Sequence, residues 1–250
     1  MTVSPLLALH RRLAAVLMAV LIAVCAGQSG AADMPDEQQA QNYIRKVADD
    51  FFDVLRNPDL DEATRRAELK ALMLEEVAVA YIAKLSLGRH GKPHPGMSEA
   101  ERQAFDAQLE EYQALFPDFL FEKMYDLVLS KFKDATVEVT GATPIRKTDI
   151  YVHTTIHRPG AEPVLADWRV RTTPEGKLKI IDVKAEGVSM TITQRDDFAS
   201  IIGGSRDLGK VLAHMRAQIA ANQVDTEPSA VDTEPSSGNG EKEADTDSPA

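Results

Sequence analysis

Cysteine is nearly missing from this chain: Cys25 is the only one in 250 residues. It lies in the first 32 residues, so everything beyond them is thiol-free. That excludes a disulfide framework, a thiolate nucleophile and a cysteine-based metal site in the rest of the chain. Long apolar runs are also missing. The longest, LAAVLMAVLIAV at residues 13–24, has 12 residues, whereas a membrane-spanning helix needs roughly 20. Positive charge is in short supply: 28 Lys and Arg face 39 Asp and Glu, for a net charge of −11. This balance disfavours binding to nucleic acid or to an anionic lipid surface. No glycine-rich phosphate loop occurs, since Gly203-Gly204-Ser205 has neither the flanking strand nor the lysine.

The pattern at the start reads as a secretory signal over residues 1–32. Arg11 and Arg12 precede the apolar run, and GQSGAA follows with cleavage after Ala31 or Ala32. The alternative is an uncleaved anchor; a lipoprotein is disfavoured because Val24, not a small residue, precedes Cys25. Export without cysteine suits a bacterial periplasm, where stray thiols oxidise. At the other end, residues 222–250 read as an acidic tail. VDTEPSA repeats as VDTEPSS, and no large apolar residue follows Val231. Such a segment cannot bury enough surface to offset its ordering entropy. The first 32 residues carry +2 and residues 223–250 carry −7, which leaves −6 on the body. Residues 33–221 remain as one domain with room for a core.

The first half of the body has helical spacing. Ile44, Val47, Phe51 and Leu55 recur on one face before Asn57-Pro58-Asp59 breaks the chain. A second helix starts near Asp61 and continues or restarts through VAVAYIAKLSLG to Gly88. The prolines and glycines of GRHGKPHPGM mark a loop. Ser98 and Glu101 form a capping-box pattern, and Phe105, Leu109, Tyr112 and Phe116 follow on one face. Pro117 is expected to interrupt this helix, with Asp118 capping a continuation. The period then changes to two in DATVEVTG, DIYVHTTIHR, VLADWRVRTT, KLKIIDVKAEG and VSMTIT. Short connections predict an antiparallel meander of four strands with one polar and one apolar face. Two helical pieces, around Phe198–Ile202 and Leu208–Ile219, close the body. The expectation is an α+β fold in which helices and a twisted sheet leave an apolar cleft between layers.

Catalytic chemistry finds little support. Gly187-Val188-Ser189 lacks the final glycine of a G-x-S-x-G elbow, because position 191 is Thr. His90, His94, His153, His157 and His214 have no obvious acidic orienter by spacing. His90 and His94 lack a third metal ligand. His153 and His157 share a strand face but sit roughly 13 Å apart. Glu186 beside Gly187 could act as a general base; the simpler role is to accept backbone N–H bonds at a bend. No metal and no cofactor is expected. Apolar quantity is what stands out, and composition alone cannot separate a filled core from one that parts to admit a lipid.

The stretch DVKAEGVSMTITQRDDFASII resembles the segment that marks the MlaC family of periplasmic phospholipid-shuttle proteins, also called toluene-tolerance proteins. Asp182, Glu186, Gly187, Val188, Ser189 and Phe198 match that pattern in order. AYIAKLSLGRH with MSEAERQAFDAQLEEY is similar to the family's paired helices, and ADWRVRTTPEGKLKIIDV to its strand pair. The likeness covers about residues 40–220, with Glu-Gly-Val-Ser the specific block. GKPHPG is longer than usual, Pro117 falls in a helix that is often continuous, and Leu178 stands about where many members place tryptophan.

The resemblance implies a periplasmic carrier without enzymatic activity. Its partners would be a phospholipid ligand, an inner-membrane ABC transporter with an MCE-domain ring, and an outer-membrane lipoprotein complex. A hopanoid-linked carrier is a close variant. An acyl chain of roughly sixteen carbons costs about 12 kcal/mol to expose to water, so a carrier must cover it. Periodicity and assumed facing select Tyr81, Leu85, Tyr112, Phe116, Leu120, Met124, Val152, Trp168, Val170 and Met190 as the lining of the slot. Two other readings stand beside the carrier: an enzyme on a similar cone-shaped fold using Glu186 or Asp182 as base, and a scaffold whose core is simply full.

Overall fold

A computed structural model describes residues 36–205 and 207–224. The signal expected at 1–32 and residues 225–250 of the expected tail lie outside the described residues. Helix α1, Glu37–Arg56, starts at Asp36, whose carboxylate accepts from the amides of Gln38 and Gln39. It stops at Asn57, since Pro58 disfavours helical backbone in the residue before it. Helix α2, Glu62–Glu76, is capped by Asp61, which accepts from Thr64 N at 2.7 Å. The chain then straightens for Val77 and Ala78. Val77 bridges in parallel to Ile180, and Ala78 N donates to Ile180 O at 2.9 Å. The helical pattern therefore restarts rather than continues. Helix α3 is Val79–Leu87, closed by Gly88 in positive φ and a short 3-10 turn, Gly88–Gly91.

Helix α4 spans Glu99–Phe132 without a break. Its capping box is complete: Ser98 Oγ accepts from Glu101 N, and the Glu101 carboxylate accepts from Ser98 N at 2.7 Å. The expected interruption at Pro117 does not occur. A proline inside a helix loses one amide bond and crowds the preceding turn. Here the residues on both sides, Phe116 and Phe119, are fully buried in aromatic contact with each other, and that packing holds the helix through the proline. Asp118 caps nothing; it pairs with Lys70 of α2 at 2.6 Å.

The sheet has five strands in sequential antiparallel order: β1 Thr136–Arg146, β2 Asp149–Arg158, β3 Ala161–Thr172, β4 Leu178–Ala185 and β5 Val188–Ser189. The expected four-stranded meander thus gains a fifth member, only two residues long. VSMTIT does not continue as strand: Ser189 caps helix α5, Met190–Ile202, which turns the chain away. Helix α6, Gly209–Val224, follows the Gly203-Gly204 stop and runs three residues into the segment read as tail.

Apolar side chains gather in two cores. In one, Ala40 and Ile44 of α1 pack on Ile150, Val152, Val170 and Ile180, with Trp168 and Val183 beside them. In the other, residues of α2 to α6 meet around Tyr112, Phe116, Phe119, Phe198 and Met215. The second half of α1 joins this core through Phe51, Phe52 and Leu55, and Val77 touches both. One amphipathic helix therefore ties the sheet layer to the helical layer. Helix α4 packs chiefly on α6 and α3.

Candidate functional site

The Glu186–Ser189 corner turns the sheet into α5. Glu186 and Gly187 both adopt positive φ, 49° and 78°. That conformation is natural for glycine and costly for glutamate. Glu186 is held there from β3: its amide donates to Leu165 O at 2.9 Å, and its Oε1 accepts from Leu165 N at 2.7 Å. The carboxylate is thus spent on a backbone donor, as the simpler reading expected. Ser189 Oγ donates to Asp182 Oδ2 at 2.6 Å and accepts from Ile192 N at 3.1 Å. Asp182 Oδ1 takes the amide of Thr191 at 3.1 Å. Both oxygens of this buried carboxylate are used to seat the first turn of α5, where an anion is also favoured by the helix N-terminus.

A second built cluster lies at the opposite end of β4. Asp149 is fully buried and takes both guanidinium groups of Arg169 and Arg171; Arg171 Nε donates to Oδ1 at 2.6 Å and Nη2 to Oδ2 at 2.8 Å. Burial alone would raise the Asp149 pKa, but these two cations overcome it and hold the carboxyl at about 2. The hydrogen bond to Asp149 in turn raises the Arg171 pKa. Arg171 also sits over the Tyr81 ring, 4.7 Å from its centroid, which links sheet to α3. Sequence spacing did not reveal this cluster, since Asp149 and its partners meet only through the β2–β3 register, Asp149 opposite Arg171.

The same register gives His153 an acidic neighbour that spacing had hidden. His153 Nδ1 lies 2.7 Å from Asp167 Oδ1, and its Nε2 lies 2.9 Å from Thr143 Oγ1. This Thr–His–Asp row crosses the polar face of three strands. It sits outside the cavity described below, and a nucleophile needs oriented oxyanion donors in a sheltered site as well as a base. The row is a cross-strand polar ladder.

The ten residues chosen for the slot separate into three groups. Tyr112 and Phe116 are buried in the helical core, with Leu120 packed against it, and Tyr112 Oη donates to Ala83 O at 2.9 Å. Val152, Val170 and Trp168 face α1 in the sheet core, and Trp168 Nε1 donates to Thr154 Oγ1. Trp168 and Val170 thus meet α1, not the helix carrying Tyr112. Leu85, Met124 and Met190 are exposed, and Tyr81 is half-buried beneath Arg171. Met190 lies in the first turn of α5 rather than on a strand.

Leu127, Val188 and Ile192, outside those ten, join Met124 and Met190 in an exposed apolar rim. Leu127 and Met124 on α4, Val188 on β5, and Met190 and Ile192 on α5 are exposed by 40% at Met124 to 55% at Val188. Lys123 Nζ of α4 donates to Gln194 Oε1 of α5 at 2.7 Å, which brings the stretch that carries Met124 and Leu127 near the one that carries Met190 and Ile192. A half-bare apolar edge on one side of two incompletely merged cores is what an oily ligand could cover. A separate cavity of about 470 Å³ opens at the far end of α5, lined by Arg89, Lys92, His94, Met97, Phe105 and Gly203 among others. No helix among the described residues is long and apolar enough to cross a membrane.

Comparison with known proteins agrees with this architecture. A phospholipid-binding protein from Ralstonia solanacearum, solved in complex with a phospholipid, superposes with a TM-score of 0.56 at 21% identity, covering 74% of this chain and 98% of that one. No curated protein matches the chain. The model of the MlaC protein family matches residues 45–217. That span runs from the middle of α1 to the second half of α6; it leaves out Ala40 and Ile44 but includes the other buried residues of both cores and the Glu186–Ser189 corner. On that match the chain belongs to the MlaC family.

Proposed function

We propose that this protein is a periplasmic carrier that binds a phospholipid and passes it between an outer-membrane lipoprotein complex and an inner-membrane ABC transporter bearing an MCE ring. The acyl chains would lie between the helical core and the sheet core, beside α1. They would enter past Met124, Leu127, Val188, Met190 and Ile192. The observation that carries this reading is that uncovered rim, set where the helical and sheet cores are joined mainly by α1. Family membership and a phospholipid-bound structural relative support it. The physics asks for no catalysis: hiding about 12 kcal/mol of hydrocarbon per chain needs apolar area alone. Glu186 and Asp182, the candidate bases, already serve backbone amides at the corner.

The test of the shuttling step is direct transfer. Protein loaded with isotope-labelled phospholipid is mixed with the transporter–ring complex in nanodiscs and separated again. Label moving to the nanodiscs supports the proposal. Retention of all label on the protein, with binding intact, contradicts the shuttle while sparing the lipid site. A hopanoid supplied in place of the phospholipid reports which cargo is preferred.

A further inference from the structure

The cavity at the far end of α5 belongs to neither the rim nor the corner. Helix α5 has 13 residues, so its two ends are about 20 Å apart. The rim sits at the first turn and the cavity at Gly203-Gly204 beyond the last. Its volume, about 470 Å³, is within the roughly 300–1,000 Å³ of small-molecule sites. Its wall is chemically uneven. Arg89, His90, Lys92 and His94 supply cationic or ionisable nitrogen, Met97 and Phe105 supply an apolar surface, and among the described residues no acidic side chain lines it. On a body with net charge −6, that grouping is out of proportion.

Part of it has a structural explanation. Helices α3 and α5 both end here, and their carbonyl ends favour nearby cations. Arg89 and His90 stand in the turn that closes α3, where Arg89 Nε donates to His90 Nε2 at 3.4 Å. Lys92 and His94 lie beyond it, on GKPHPG. This loop is stiffened by Pro93 and Pro95 and by the contact of His94 Nδ1 with Pro95 O at 2.6 Å. It is anchored at its far side by the Ser98–Glu101 capping box. Opposite, a Cβ at Gly204 would meet nothing within 4 Å, so that side is open to a ligand.

We propose that this cavity is a second binding site, for an organic phosphate. A guanidinium fork gives a phosphate paired N–H donors, and an ammonium group adds a point charge for its second negative charge. The substituent on the phosphate would rest on Met97 and Phe105. The phosphate could come from a lipid headgroup or from a free metabolite, and the experiment separates them.

The full chain, with methionine methyls labelled, is titrated at millimolar concentration with inorganic phosphate, glycerol 3-phosphate, water-soluble dihexanoyl phosphatidic acid and malonate. Met97 reports on this cavity and Met190 on the rim. Saturable shifts of Met97 with glycerol 3-phosphate indicate a free phosphate ester as ligand. Shifts of Met97 with phosphatidic acid alone indicate a lipid headgroup; both outcomes support the site. The Arg89→Gln/Lys92→Gln double variant is expected to bind roughly tenfold more weakly or worse, with co-purifying lipid unchanged. Met97 silent toward every phosphate, equal response to malonate, or unchanged affinity in the double variant each overturns the proposal. Loss of rim lipid with normal Met97 shifts would count against the carrier reading instead.

Discussion

Ser189 Oγ donates to Asp182 Oδ2 across 2.6 Å while receiving the amide of Ile192. A serine beside a glycine and two acids suggests an enzyme; here it is the N-cap of a helix braced by a buried carboxylate. Ser189→Ala is therefore expected to lose about 1–2 kcal/mol of stability, read by urea unfolding. Lipid content per folded molecule should stay the same, and so should that of Glu186→Gln. A fall in lipid binding at unchanged stability would return these residues to the functional list.

Gly187 has φ of 78° with open space around its Cα. Gly187→Ala should cost about 1 kcal/mol through backbone strain alone. Gly176 at φ 78°, in the β3–β4 turn, has the same open surroundings and provides the matched control. Thermal melts of both variants should shift alike, because neither substitution meets a neighbour.

Asp149 stabilises the sheet in a pH-dependent way. Its folded pKa, about 2, is below the ordinary 3.8 because the Arg171 and Arg169 pairing outweighs burial. The contribution is thus complete above pH about 4 and is lost as pH falls toward 2. Asp149→Asn leaves two guanidiniums short of a counter-charge and should destabilise by about 3 kcal/mol near neutrality. Its acid-unfolding curve should also be flatter than wild type between those pH values. Parallel curves would show that the cluster does not govern acid stability.

Met190→Glu and Leu127→Glu place charge on the rim without entering a core. Both should reduce co-purifying lipid severalfold while far-ultraviolet circular dichroism and the melting temperature stay close to wild type. Val170→Glu differs: Val170 is fully buried between β3 and α1, so that variant should fail to fold rather than simply lose its ligand.

Much of this architecture was readable in local chemistry. The Ser98–Glu101 box, the Asn57-Pro58 break and the Gly203 stop act over a few residues and appear as expected. So does the alternation that places Val152, Trp168 and Val170 on one sheet face. What spacing could not give is what depends on register or on distant packing. Asp149 meets Arg171, and His153 meets Asp167, only once β2 and β3 align. Pro117 stays helical because Phe116 and Phe119 are locked into a core built by α5 and α6. Apolar period also cannot say which apolar face remains uncovered. Leu127 and Ile192 have the same pattern as buried leucines and isoleucines, and tertiary placement alone leaves them half bare.

The carrier reading rests on hydrocarbon being held between the helical core and the sheet core. Native mass spectrometry of the purified protein, followed by organic extraction and identification of what is released, tests this most directly. The account predicts phospholipid in stoichiometric amount, reduced severalfold in Met190→Glu and Leu127→Glu. Wild-type protein that is folded and free of lipid, and that takes none up from vesicles, would contradict it.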